Sequence, residues 1–98
     1  MALVSTLLSF ALAAGGGDAD DFPDPDVIKL TDATFHSQVD SAEIALVEFY
    51  APLCGHCKHL APEYAKAATE LKKEDPPVPL MKLDATKHEK SASAHGVQ

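Results

Sequence analysis

Apolar positions along this chain fall into runs with different periods. Val27-Ile28-Lys29-Leu30 is short and starts on β-branched residues, which predicts a strand. Thr31 then offers a side-chain oxygen to cap a helix, in which Phe35 and Val39 lie four apart on one face. The run Ile44-Ala45-Leu46-Val47-Glu48-Phe49-Tyr50 is apolar on both faces apart from one carboxylate. Such a run predicts a strand at the buried centre of a parallel sheet. After Cys57 the apolar residues Leu60, Ala61, Tyr64, Ala65, Ala68 and Leu71 recur with a helical period. Pro62 lies inside that helix, where it removes a donor and is expected to kink the axis. Lys72 to Asp75 end the helix, and Pro76-Pro77 stop it. Residues 78–84 predict a further strand, weakened near its start by Pro79. Residues 87–94 predict a short helix with Gly96 just past its end. Strands alternating with helices imply an α/β layer fold with parallel strands and right-handed crossovers.

Composition narrows the picture. The chain has 98 residues, 46% of them hydrophobic, and no Trp. It is long enough for one small domain with a mostly aliphatic core. A net charge of −7 and the lack of a Lys/Arg cluster argue against a nucleic-acid partner. Asp18, Asp20, Asp21, Asp24 and Asp26 crowd together around Pro23 and Pro25. That composition predicts an unpacked, solvated lead-in over residues 15–25. Residues 3–14 are apolar or small throughout, too short a run for a bilayer span of about 20 residues. Ala11-Leu12-Ala13 fits a cleavage pattern, although no Lys or Arg precedes the apolar stretch. Residues 1–14 therefore read as a secretory signal peptide, and residues 26–98 as the folded part.

The two cysteines, Cys54 and Cys57, are three apart at the start of the long helix. This puts both sulfurs on one face, with Cα atoms roughly 5 Å apart by helix geometry. A disulfide needs a separation of that order, so the pair can close and open with little backbone movement. Free N–H groups and the positive dipole end favour a thiolate at Cys54, and His56 adds a donor or a charge. Cys54 is then the attacking nucleophile, and the more buried Cys57 the thiol that resolves a mixed disulfide. Glu48 is the other unusual residue. Buried in an apolar strand, its carboxyl is expected to hold its proton more tightly and to serve Cys57 as a proton acceptor, with Lys82 as its charge partner. The alternative is a Glu48 that points to water from a strand end. Zinc binding competes for any CxxC pair, but Cys54, Cys57 and His59 give three ligands at most, and His36, His88 and His95 show no partner spacing. The chemistry calls for no metal and no cofactor.

The run from Val47 through Cys54-Gly55-His56-Cys57 to Lys58-His59-Leu60-Ala61-Pro62-Glu63-Tyr64 closely resembles the active-site segment of the protein disulfide isomerase family. Leu30-Thr31-Asp32, Phe35 and Lys82-Leu83-Asp84-Ala85-Thr86 resemble that family's first catalytic domain. The resemblance implies a thioredoxin-like fold, here βαβαβ with a last short α-helix. It implies exchange of disulfides in unfolded or misfolded secretory proteins of the endoplasmic reticulum lumen. By the same resemblance Gly55 and His56 tune the redox balance, Glu48 relays a proton, and Lys82 is its charge partner. Leu53 stands where the family usually has Trp. The family's cis-proline segment, further strands, final helix, remote arginine and retention signal have no counterpart in residues 1–98. The sequence thus reads as the N-terminal part of a longer protein, with an unpaired apolar edge on the strand at 44–50 as an aggregation risk. Two further readings follow: a catalytically weak or inactive fragment that at most binds clients, and a zinc module.

Overall fold

The structure, a computed structural model, describes residues 19–97. The expected signal peptide and the first residues of the lead-in lie outside the described residues. Strands β1 (Val27–Leu30), β2 (Leu46–Tyr50) and β3 (Leu80–Asp84) form one parallel sheet in the order β1-β3-β2. Helices α1 (Phe35–Asp40), α2 (Gly55–Leu71) and α3 (Glu89–Ala94) alternate with them. The α/β layer expected from the sequence is this thioredoxin-like arrangement.

The expected centre of the sheet is corrected. β3 takes that place, and all five of its residues are buried. β2 pairs on one side only among the described residues, which leaves Leu46 54% exposed and nearby Ile44 59% exposed. An apolar run reports that a strand can be buried; the crossovers decide which strand is flanked on both sides.

Side chains on a strand alternate between faces, and the two faces bury different groups. Leu30, Met81 and Leu83 pack with Phe35 of α1 and Ala92 of α3. Val27 and Leu80 pack with Tyr64 and Ala68 of α2. The α2 face also carries a row of charge, because Lys29 and Glu48 both stand in register with Lys82.

Local chemistry sets the element ends. Thr31 and Thr34 exchange hydrogen bonds, each N–H donating to the other's Oγ1 at 3.0 and 3.2 Å. Thr31 therefore closes a turn rather than capping a helix, and α1 starts at Phe35. β3 begins at Leu80, after Pro79, which has no N–H to give a ladder. Helix α2 runs through Pro62 and ends at Leu71. Past α3, Gly96 adopts φ +80, while Gly96 N–H and Val97 N–H donate to Ser93 and Ala92 carbonyls. This is a Schellman closure, and the left-handed position explains the glycine.

The unpacked lead-in is corrected over residues 19–25. Ala19–Asp21 form a 3₁₀ turn, Ala19 is buried, and its N–H donates to the Pro52 carbonyl at 2.8 Å. The physical reason is counter-charge. A lysine in the central strand needs carboxylates, and this segment supplies them.

Candidate active site

The polypeptide leaves β2 at Tyr50 and turns through Ala51, Pro52 and Leu53 into α2. Cys54 is the N-cap residue of α2, with extended backbone at φ −71 and ψ 128. Its sulfur takes the place of the usual capping oxygen and accepts the Cys57 N–H at 3.3 Å. Both cysteines are free thiols and partly buried. The sequence-based pairing of the two sulfurs at one helix end is what the structure brings together.

The two thiols differ in their surroundings. Cys54 is held below the ordinary thiol range by the Cys57 thiol that hydrogen-bonds it, then by the backbone N–H groups of Cys57 and His56. Cys57 is pushed up by burial, and further by donating to Cys54. His56 is exposed and touches this balance through its backbone N–H. Gly55 has open space where a Cβ would stand. Leu53, 80% exposed, forms an apolar rim beside Cys54.

Glu48 points into the α2 face, not out to water, and is partly buried. Burial raises its carboxyl above the ordinary value, Lys82 pulls it back, and the charges of Asp24 and Asp20 push it further up. A cavity of ≈ 10 Å³ joins Glu48 to Cys57, with Tyr64, Lys82 and Asp24 also on its walls.

The expected Glu48–Lys82 ion pair is corrected. The Lys82 ammonium binds Asp24 Oδ2 at 2.7 Å and Asp20 Oδ1 at 3.3 Å. It also lies 5.2 Å from the centre of the Tyr50 ring. Burial lowers the affinity of Lys82 for its proton, but the Asp24 hydrogen bond and the two carboxylate charges carry it above the ordinary lysine value. Sheet register brings Lys82 beside Glu48, yet the carboxylates from the lead-in reach it more closely.

Sequence reasoning missed the roles of Asp24, Asp20, Tyr50 and Tyr64. Asp20 accepts the Tyr50 hydroxyl at 2.6 Å and pairs with Lys29 at 3.2 Å as well as with Lys82. Tyr64 donates its hydroxyl toward the Met81 carbonyl at 2.6 Å and lies 3.0 Å from the Leu46 carbonyl, pinning α2 over both strands. The available signal was a lysine inside a buried strand, which demands more counter-charge than one half-buried glutamate gives. Among the described residues, no group of three or more His, Cys, Asp or Glu is placed to hold a metal ion. No helix of the described residues is long and apolar enough to cross a membrane.

A parallel sheet with a free cysteine pair at a helix start defines a dithiol domain of thioredoxin type. The thioredoxin family profile matches residues 26–98, and the chain belongs to this family. Relatives are more specific. The chain is 62% identical over 65 residues to mouse protein disulfide-isomerase A4, covering 65% of this chain and 10% of that protein. It is 42% identical over 95 residues to the Aspergillus oryzae protein disulfide-isomerase, covering 97% of this chain and 18% of that protein. Among solved structures, the first thioredoxin domain of mouse protein disulfide-isomerase A4 superposes with a TM-score of 0.65 at 41% identity, covering 84% of this chain and 59% of that one. The shared domain is that of thiol–disulfide oxidoreductases in general.

Proposed function

We propose that this chain performs thiol–disulfide exchange on client proteins of the secretory pathway, through Cys54 and Cys57. The observation that carries the reading is the Cys54 sulfur capping α2, with its thiol held low while that of Cys57 is held high. The Cys54 thiolate attacks a client disulfide. The client S–S bond breaks, a Cys54–client disulfide forms, and one client thiolate leaves. Cys57 then gives up its proton and attacks the Cys54 sulfur. The client departs as a thiol, and Cys54 and Cys57 end as a disulfide. Run backwards, the same steps deliver a disulfide to a reduced client.

Glu48 is the acceptor for the Cys57 proton. A cavity of ≈ 10 Å³ between them is about the size of one water, and a proton can cross it on one. The exposed surface of Leu53 and the open space above Gly55 admit a client backbone to Cys54. His56 tunes the balance by favouring the reduced thiolate, so the oxidised form passes its disulfide on readily. The signal peptide at 1–14 delivers the chain to the endoplasmic reticulum lumen, where unfolded and misfolded clients carry thiols and disulfides.

Repair of a scrambled-disulfide substrate tests the reading. Cys54→Ser is expected to abolish turnover, and Cys57→Ser to accumulate a disulfide between Cys54 and the client. An unchanged repair rate in Cys54→Ser contradicts it.

A further inference from the structure

We propose that Asp24 and Asp20, from the segment before β1, are positioning residues for the resolving step: they draw the Lys82 ammonium away from Glu48 and leave that carboxyl free to serve Cys57. The proposal rests on the reading of the cysteine pair given above and assigns the lead-in a part in it.

The geometry is specific. Sheet register sets Glu48 directly beside Lys82, the arrangement in which a lysine and a glutamate ordinarily pair. The Lys82 side chain is 8% exposed, so its ammonium depends on protein partners. It finds them in Asp24 at 2.7 Å and Asp20 at 3.3 Å, and Glu48 makes no ion pair among the described residues. The segment is anchored for this task. Ala19 is buried and donates to Pro52, two residues before Cys54, and Asp20 also holds the Tyr50 hydroxyl.

Every element packed on Glu48 brings a charged or titratable group. Its own sheet face brings Lys82, Tyr50 and the buried carboxyl of Asp84 in register with Tyr50, with Lys29 one strand further on. From α2 come Cys57 and Tyr64, with Cys54 at the cap. The lead-in brings Asp24 and Asp20, whose negative charges both act on Glu48. Asp24 and Asp20 thus hold the one ammonium in register with Glu48, Asp20 being shared with Lys29. The proton affinity of Glu48 stays raised, which makes it a stronger base toward a buried thiol than a glutamate paired with lysine.

The test uses the full chain and follows the Glu48 carboxyl by ¹³C NMR against pH, together with release of glutathione from its Cys54 disulfide. In Asp24→Asn the Glu48 midpoint is expected to fall by about one pH unit, as Lys82 turns to it. The acid limb of the release rate moves down with it, and release at neutral pH slows about threefold, since a weaker base accepts the Cys57 proton. Asp24→Glu restores both. In a Glu48→Gln background Asp24→Asn slows release no further. Should Asp24→Asn fail to fold, Asp20→Asn decides the matter by the same midpoint, with a smaller downward shift expected. A folded variant whose Glu48 midpoint does not move overturns the positioning role. A chain without substitutions that performs no exchange overturns the reading of the cysteine pair itself, which the carboxyl titration distinguishes.

Discussion

A thiol and a carboxyl, Cys57 and Glu48, face each other across one small cavity, and each holds its proton more tightly because it is buried. For Glu48 this has a consequence for stability. An acid whose folded pKa is raised binds its proton better folded than unfolded, so ionising it penalises the fold. The penalty is absent below the unfolded value of 4.5, grows as pH rises through the folded value, and persists above it. Glu48→Gln is therefore expected to raise the Tm at pH 7 and to leave it unchanged near pH 4, measured by thermal melts at the two pH values. It should slow mixed-disulfide release at the same time, the trade of stability against function common at active sites. At this scale much was legible in the sequence. Cys54, Gly55, His56 and Cys57 are consecutive, so their chemistry is local, and Glu48 is conspicuous as one charge in an apolar run. The partner of Lys82 was not legible, because Asp24 lies 58 residues away in a stretch whose composition resembles that of solvated chain.

Helix α2 and strand β3 are the elements that hold the site. The stripe from Leu60 to Leu71 exposed the helix in the sequence, while the strand expected over 78–84 begins only at Leu80, past Pro79. The apolar pattern hid the order of the strands, although the resemblance implied the unpaired edge that β2 shows among the described residues. Period-two and all-apolar patterns tell what a strand can bury, while the choice of neighbours depends on how crossovers pass over the sheet. Tyr64 binds these elements together. It is buried on α2, and its hydroxyl lies within hydrogen-bond reach of backbone carbonyls on both β2 and β3. Burial, with the negative charge of Glu48, raises its hydroxyl above the ordinary tyrosine value, so it stays a donor. Tyr64→Phe leaves those carbonyls without that donor and should cost about 1–2 kcal/mol, read from urea unfolding midpoints. No change in midpoint would show that the hydroxyl carries no such role.

Taken as one molecule, the described residues form a sheet covered on both faces and paired along one side of β2. Leu46, 54% exposed, and Ile44, 59% exposed, lie at that margin, and a long apolar edge invites pairing with another chain. Leu46→Lys should reduce concentration-dependent light scattering of the chain with little effect on exchange. Equal scattering would show that association, where it occurs, uses another surface. The acidic lead-in belongs to this scale as well. It is joined to the sheet through Lys82 and Tyr50, and to the loop before Cys54 through the Ala19–Pro52 hydrogen bond. The inequality of Cys54 and Cys57 underlies the chemistry of the whole chain, and alkylation against pH with peptide mapping measures it. Cys54 is expected to be modified first, with a midpoint below the ordinary thiol value, and Cys57 only at higher pH. Equal midpoints, or a Cys57 that reacts before Cys54, would contradict that inequality.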